Sequence, residues 1–231
     1  MLENEFVKRL QEKNIDINSN KIKQFELFYQ LLTEYNKKMN LTSIITKEEV
    51  YGKHFYDSLT VILNNHLHGK VLDVGSGAGF PGIPLKIINP DLALDLLEPN
   101  QKKCLFLKTI IEELGFSNIT VYNQRAEDFV ISNRETYDVV IGRAVAPLPI
   151  LLELCLPLTK TQGEFIALKG LNGLEELKKA QNAIKLLKGK VKDVDKQEYD
   201  GLTRYNIYIT KINKTPKDYP RTYNKIKRTP L

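Results

Sequence analysis

The densest chemical signal lies between residues 69 and 82, which hold five of the chain's thirteen glycines. The core of this stretch reads Val71-Leu-Asp-Val-Gly-Ser-Gly-Ala-Gly-Phe-Pro-Gly82. An apolar strand runs into a glycine turn and then a helix, the place where open α/β sheets bind ligands. Gly77, Gly79 and Gly82 match the dinucleotide pattern G-x-G-x-x-G. The strand ends at Val74, however, so the binding turn begins at Gly75, and counted from there the third glycine position is Phe80. Asp73 discriminates further. A carboxylate just ahead of the loop repels a pyrophosphate and attracts an ammonium or a sulfonium. S-adenosylmethionine (SAM) carries both cations and no phosphate. Glu98 ends the second strand, 23 residues after Gly75. An acid there accepts hydrogen bonds from two ribose hydroxyls, which suits NAD and SAM equally. After the third strand, Arg125-Ala-Glu127-Asp128 falls where the adenine of such a ligand lies, with Ala126 and Glu127 offering a backbone N–H and a polar side chain. The competing role for Glu127 and Asp128 is as first-turn acids of a short helix, favoured by its dipole.

Candidates for the chemical step are few. Seven arginines stand against 27 lysines. Two of them, Arg125 and Arg143, follow the third and fourth strands, on the ligand-binding rim. Arginine offers paired donors to a phosphate or another planar acceptor; the competing role is a salt bridge to Glu127, Asp128 or Asp138. Lys169, at the end of the fifth strand, is the third candidate for the active site. Cys104 and Cys155 sit among leucines and read as core residues, not nucleophiles. His54, Asp57 and Ser58 fall too close together in one helix for a hydrolase triad and lack a nucleophile elbow. Hydrogen bonding between the helical region and the rim of the sheet is expected instead, with Asn40 and Ser43 at the same junction. None of the histidines, His54, His66 and His68, is expected at the C-terminal end of a strand.

These residues need a scaffold, and the pattern supplies one. Residues 1–68 read as helical: Leu2, Phe6 and Leu10 form one apolar stripe, and Ile22, Phe25, Phe28, Leu32 and Tyr35 form a second. A further helix is expected over residues 54–63. Residues 69–213 alternate strand and helix. Strands are expected at 71–74, 92–97, 119–122, 137–141, 164–168, weakly at 191–198, and at 205–212. Helices are expected at 83–88, 102–114, 148–156 and 174–187. Such alternation predicts a doubly wound, largely parallel sheet. The last two strands have no helix between them, so they are expected to pair antiparallel at one edge.

The chain's 231 residues suffice for one α/β domain with a buried core. No signal-peptide pattern opens it, and no apolar run is long enough to span a bilayer. Two cysteines exclude a disulfide scaffold and a four-thiolate metal site, and fit the cytoplasm. Net charge is +6. From Thr210 onward there are seven bases and one acid, which leaves 27 of each in residues 1–209. The excess therefore sits in the tail, and residues 214–231, with three prolines, are expected to run extended along a polyanion; the competing readings are a solvated end and a structural tail packed on the sheet's edge through Tyr219 and Tyr223.

Asn40-Leu-Thr, His54-Phe-Tyr-Asp57-Ser58-Leu, Asp73-Val-Gly-x-Gly-x-Gly-Phe-Pro-Gly82, Arg125-Ala-Glu127, Gly142-Arg143-Ala144 and Ala167-Leu-Lys169, in this order, resemble the bacterial RsmG (GidB) family. The resemblance covers nearly the whole chain. It implies a class I SAM-dependent methyltransferase fold, a Rossmann-like seven-stranded sheet with its last strand antiparallel, behind a helical N-terminal region. It implies N7 methylation of a guanine in 16S ribosomal RNA, nucleotide 527 in the 530 loop. Gly75, Phe80, Ala126, Glu127 and Arg143 would be cofactor positions; Asp73, Gly77 and Glu98 are added by the reasoning above. The expected partner is 16S rRNA, the 30S subunit or an assembly intermediate. The protein itself is expected to be a monomer, without metal or membrane. A catalytically idle RNA-binding protein and a NAD-dependent dehydrogenase are the rival readings.

Overall fold

A computed structural model describes residues 1–64 and 67–231. Its centre is a seven-stranded sheet of order β3-β2-β1-β4-β5-β7-β6. The strands are β1 (Lys70–Val74), β2 (Ala93–Leu97), β3 (Ile119–Tyr122), β4 (Tyr137–Arg143), β5 (Thr159–Lys169), β6 (Gly189–Tyr199) and β7 (Leu202–Lys211). Strands β1 to β5 pair parallel, whereas β7 runs antiparallel to both β5 and β6. This is the expected class I topology. Order reverses between β1 and β4, and a crevice for ligands opens there, outside the strand ends.

Side chains on successive strand residues face opposite ways, so each central strand feeds two cores. On one face Val71, Val139 and Ile141 pack with the helices Gly82–Ile88 and Gln101–Glu113 and with the N-terminal region. On the other, Leu72, Val74 and Val140 pack with Ala126–Asn133, Leu148–Cys155 and Gln181–Leu186. The N-terminal stripes bury through Phe6, Leu10, Phe25, Phe28 and Leu32, each at most 1% exposed, whereas Leu2 is exposed and Ile22 and Tyr35 are half-buried. Each fully buried side chain contributes roughly 1.5–3 kcal/mol of hydrophobic burial.

Several boundaries differ from expectation. The helix predicted over 54–63 starts earlier, at Lys47, where the Thr46 hydroxyl accepts from the Glu49 N–H. It then widens into a π-helical stretch, Val50–Tyr56, and ends as a 3₁₀ turn at Thr60–Ile62. The helix predicted over 174–187 is two, Gly173–Lys179 and Gln181–Leu186, broken at Ala180. The weak sixth strand is a full eleven-residue strand. Its hairpin to β7 turns at Asp200-Gly201, both with positive φ (51° and 72°), the two-residue turn whose twist matches the strands. His66 lies outside the described residues.

The tail is not the extended arm but follows the packed alternative: Tyr219 and Tyr223 pack against the second core, Tyr223–Arg228 is helical and Ile226 is fully buried. Arg134 donates to the carbonyls of Thr215, Pro216 and Tyr219. Arg221 forms two side-chain hydrogen bonds to Glu153, whose side chain is 0% exposed. Lys211 is also buried, against Glu135. Two of the seven tail bases are thus committed inside the protein. No described helix is long and apolar enough to cross a membrane, and no group of three or more metal-ligating side chains gathers among the described residues.

Candidate functional site

The turn after β1 is shaped by the neighbouring strand. Gly75 and Ser76 donate backbone N–H groups to the Leu97 carbonyl at 2.7 and 3.2 Å. Gly75 has φ 70° and Gly77 φ 58°, a region that penalises any Cβ. The Gly77 N–H donates to Glu98 Oε2 at 2.9 Å, and Asn100 N–H donates to Oε1 at 2.8 Å. A carboxylate has about four acceptor sites. Glu98 therefore braces the loop and keeps capacity for two hydroxyls. A Cβ on Gly77 would meet only the Gly75 carbonyl oxygen, at 3.8 Å, so the space above the turn is open.

A 270 Å³ cavity opens beside this turn, walled by Gly75, Leu97, Glu98, Pro99, Gln124, Arg125, Ala126, Glu127, Val145 and Tyr223. Five of the predicted cofactor positions or their neighbours, Gly75, Glu98, Arg125, Ala126 and Glu127, meet there. Asp73, Gly77, Phe80 and Arg143, also expected at the cofactor, do not form its wall. Asp73 is buried beneath the loop, where Oδ2 accepts from the Gly82 N–H at 2.9 Å. Its Oδ1 has no hydrogen-bond partner among the described residues. Burial pushes this carboxyl up to about 7, against the opposing pull of the Gly82 N–H and the Arg143 charge. An orphaned carboxylate oxygen under an open glycine turn fits a cationic ligand and not a pyrophosphate.

A second cavity, 550 Å³, shares Val145 with the first and lies over the ends of β4 and β5. Arg143, Lys169, Lys53 and Arg204 line it with Asp57 and Glu176, so four cations face two acids. Arg143 is not paired with any of the three acids the sequence offered. Its Nη1 donates to Asp57 Oδ2 at 2.6 Å and to the Lys53 carbonyl at 3.1 Å, and its Nη2 to His54 Nδ1 at 3.0 Å. Asp57 Oδ1 accepts from Arg204 Nε at 2.8 Å and from the Tyr199 hydroxyl. Burial alone would raise the Asp57 carboxyl, but Arg143, Tyr199 and Arg204 outweigh it and hold it below its usual value. Burial, helped by the Arg143 charge, pushes His54 down to about 3. With Nδ1 accepting from Arg143, Nε2 donates to Thr42 Oγ1, 2.9 Å away. The imidazole stacks on Phe80, centroids 4.4 Å apart.

The expected junction between helical region and rim thus exists, but Thr42 stands where Asn40 and Ser43 were expected. Asn40 instead ends the long helix in a left-handed conformation. Lys169 joins the rim, donating to the Ala146 carbonyl at 2.7 Å and pairing with Glu176 at 2.8 Å. Arg125 does not join it: it pairs with Glu127 on the first cavity, the alternative the sequence allowed. Both cysteines are buried as expected, and burial pushes both thiols up. Sequence reasoning missed Lys53, Tyr199 and Arg204; the Asp200-Gly201 hairpin, which returns Tyr199 and Arg204 to Asp57, was the signal for the last two. Tyr223, a tail tyrosine expected to stack on a ligand or to pack on the sheet's edge, lines the first cavity.

A family model described as GidB, rRNA small subunit methyltransferase G, matches residues 21–203. The chain is 45% identical to the ribosomal RNA small subunit methyltransferase G of Staphylococcus carnosus, over 97% of each chain. It is 44% identical to that of Geobacillus kaustophilus, over 94% of each. Among solved structures it resembles TYW2 of M. jannaschii in complex with AdoMet, with a TM-score of 0.56 and 15% identity over 74% of this chain and 80% of that one. TrmN of Thermus thermophilus gives a TM-score of 0.53 and 15% identity over 70% and 53%. At such identity these likenesses show the fold alone, that of the class I methyltransferases.

Proposed function

The chain belongs to the GidB family, rRNA small subunit methyltransferase G, and from that premise we propose that it methylates N7 of a guanine in 16S rRNA, nucleotide 527 of the 530 loop. It is a SAM-dependent ribosomal RNA methyltransferase. The residues present fit that cofactor: the open turn at Gly77, the spare acceptor capacity of Glu98 and the unpartnered Asp73 Oδ1 match a bulky amino-acid half, a ribose diol and a cation. When bound, SAM supplies an electrophilic methyl group on its sulfonium. The residues proposed to hold it are Gly75, Gly77, Glu98, Ala126 and Glu127, with Asp73 acting through its charge from below. Phe80 stacks between His54 and Phe28 and supports the turn and Arg143 from behind.

One observation carries the choice of N7. Among the described residues the rim cavity holds many donors, and its three candidate proton acceptors are each engaged, Glu176 by Lys169 and the Leu148 N–H. His54 is uncharged and engaged at both ring nitrogens, and Asp57 is engaged by two arginines and a tyrosine. Guanine N7 has a lone pair and no proton to lose, so it needs no base. Arg143 and Lys169 are proposed to hold guanine O6 or a flanking phosphate, leaving N7 unblocked. Positioning alone is worth up to roughly 7–11 kcal/mol in such a reaction. The proposed substrate is 16S rRNA, as free RNA, in the 30S subunit or in an assembly intermediate.

A pH experiment tests this reading. At saturating SAM and RNA, the single-turnover rate is expected to stay flat between about pH 6 and 8. SAM affinity is expected to behave differently. The raised Asp73 value means the unliganded protein favours the protonated carboxyl, a contribution present below the unfolded value of 3.8 and lost as pH rises through about 7. A cationic ligand favours the ionised form, so affinity should climb from pH 6 toward 7.5. It should fall again as the ligand's α-amino group loses its proton near about 8. Asp73→Asn should remove the rising limb. A one-proton rise in the saturated rate over the same range would reveal an essential base and reject N7 as the nucleophile.

A further inference from the structure

Arg125, Glu127 and Tyr223 line both the 270 Å³ cavity and a larger, 890 Å³ cleft between the Ala126–Asn133 helix and the C-terminal segment. They are therefore the partition between the two. Glu98 marks the ribose position, and the smaller cavity continues from it toward the end of β3. The partition stands at that purine end. Arg125 and Glu127 come from the loop after β3. Tyr223 comes from the far end of the chain.

The segment that delivers Tyr223 is fixed in place. Arg134 holds three of its carbonyls, Arg221 pairs with buried Glu153, and Ile226, one helical turn beyond Tyr223, is buried completely. The tyrosine ring is itself only partly buried. The Arg125 guanidinium carbon lies 4.5 Å from its centroid, and Arg125 Nε donates to Glu127 Oε1. Glu127 thus orients the cation that lies against the ring. An aromatic ring held this way, beside the apolar Leu97 and Pro99, has the character of a stacking wall.

We infer that Tyr223 is a cofactor-binding residue whose ring forms the outer wall against the purine of SAM, so that the C-terminal segment closes the adenosine pocket. This rests on the reading that SAM occupies the cavity beside Gly75 and Glu98. Lys214, Lys217, Lys225, Lys227 and Arg228 of the same segment remain exposed.

Calorimetric titration of the full-length chain with S-adenosylhomocysteine and with 5′-methylthioadenosine tests the inference. The second ligand keeps purine and ribose and lacks the amino-acid half. Tyr223→Ala should weaken both ligands by about tenfold, the scale of one aromatic stacking contact. Tyr223→Phe should stay within about twofold of wild type, and the melting temperature without ligand should be unchanged in both variants. Wild-type affinity in Tyr223→Ala overturns the inference. So does a loss that accompanies a lower unliganded melting temperature and is not restored by phenylalanine. If the wild-type chain binds neither ligand, the cofactor placement itself fails and the inference falls with it.

Discussion

Gly77→Val is expected to abolish SAM binding in a protein that still folds. Gly77 sits at φ 58° with open space where its Cβ would be. In the unliganded protein a small side chain meets nothing closer than 3.8 Å, so the cost there is mainly the left-handed backbone, about 1–2 kcal/mol. A β-branched side chain fills the space proposed for the methionine half of the ligand. It also disturbs the N–H that Glu98 accepts, and with it the carboxylate proposed to receive the ribose. Affinity should fall more than about a hundredfold, or roughly 2.8 kcal/mol. Gly77→Ala, which has the same backbone cost and less bulk, should lie between. Near-normal titration of a folded Gly77→Val protein would remove the ligand from this turn.

Asp57→Asn is expected to be the most damaging single change to stability. One carboxylate neutralises Arg143 and Arg204 and accepts from Tyr199, and it does so at 5% exposure. Removing the charge leaves two arginines facing each other across a buried amide, which costs about 3–5 kcal/mol. For a chain of this size that is a fall in melting temperature on the order of ten degrees. Because the Asp57 carboxyl is held below its ordinary value, its contribution is present above 3.8 and is lost as pH falls through the lower folded value. The gap between wild type and Asp57→Asn should therefore close in strong acid. Methyl transfer should drop further than stability alone explains, since Arg143 loses the partner that aims it. A wild-type melting temperature in the variant would show that the junction is not load-carrying.

The sheet and the first half of the site were legible because they depend on local pattern. Apolar runs such as Val71–Val74 and Val139–Ile141 have no alternative to a buried strand, and a glycine turn between strand and helix announces itself. Glu98 could be placed by counting along the chain. The second half depends on pairings between segments far apart in sequence. Arg143 was assigned to the rim correctly, but its partner Asp57 lies in a helix 86 residues earlier, and nothing local distinguishes that acid from others. Asp200-Gly201 carried a hairpin signal that would have strengthened β6 and brought Arg204 to the site. The tail misled for a physical reason. Prolines and lysines describe its outer surface, while its anchors, Ile226 and Arg221, are single residues whose partners are Glu153 and the second core. Composition reads the exposed majority and misses the buried few.

The central claim is the identity of the methylated atom, and mapping 7-methylguanosine in 16S rRNA tests it most directly. Ribosomal RNA from cells with and without this chain would be compared nucleotide by nucleotide, and the deficient cells complemented with wild type and with Gly77→Val. The expected result is one 7-methylguanosine in the 530 loop, at nucleotide 527, that disappears without the chain and returns only with wild type. Unchanged 7-methylguanosine at that nucleotide in cells lacking the chain, or a lost methyl group on a different atom, would contradict the account.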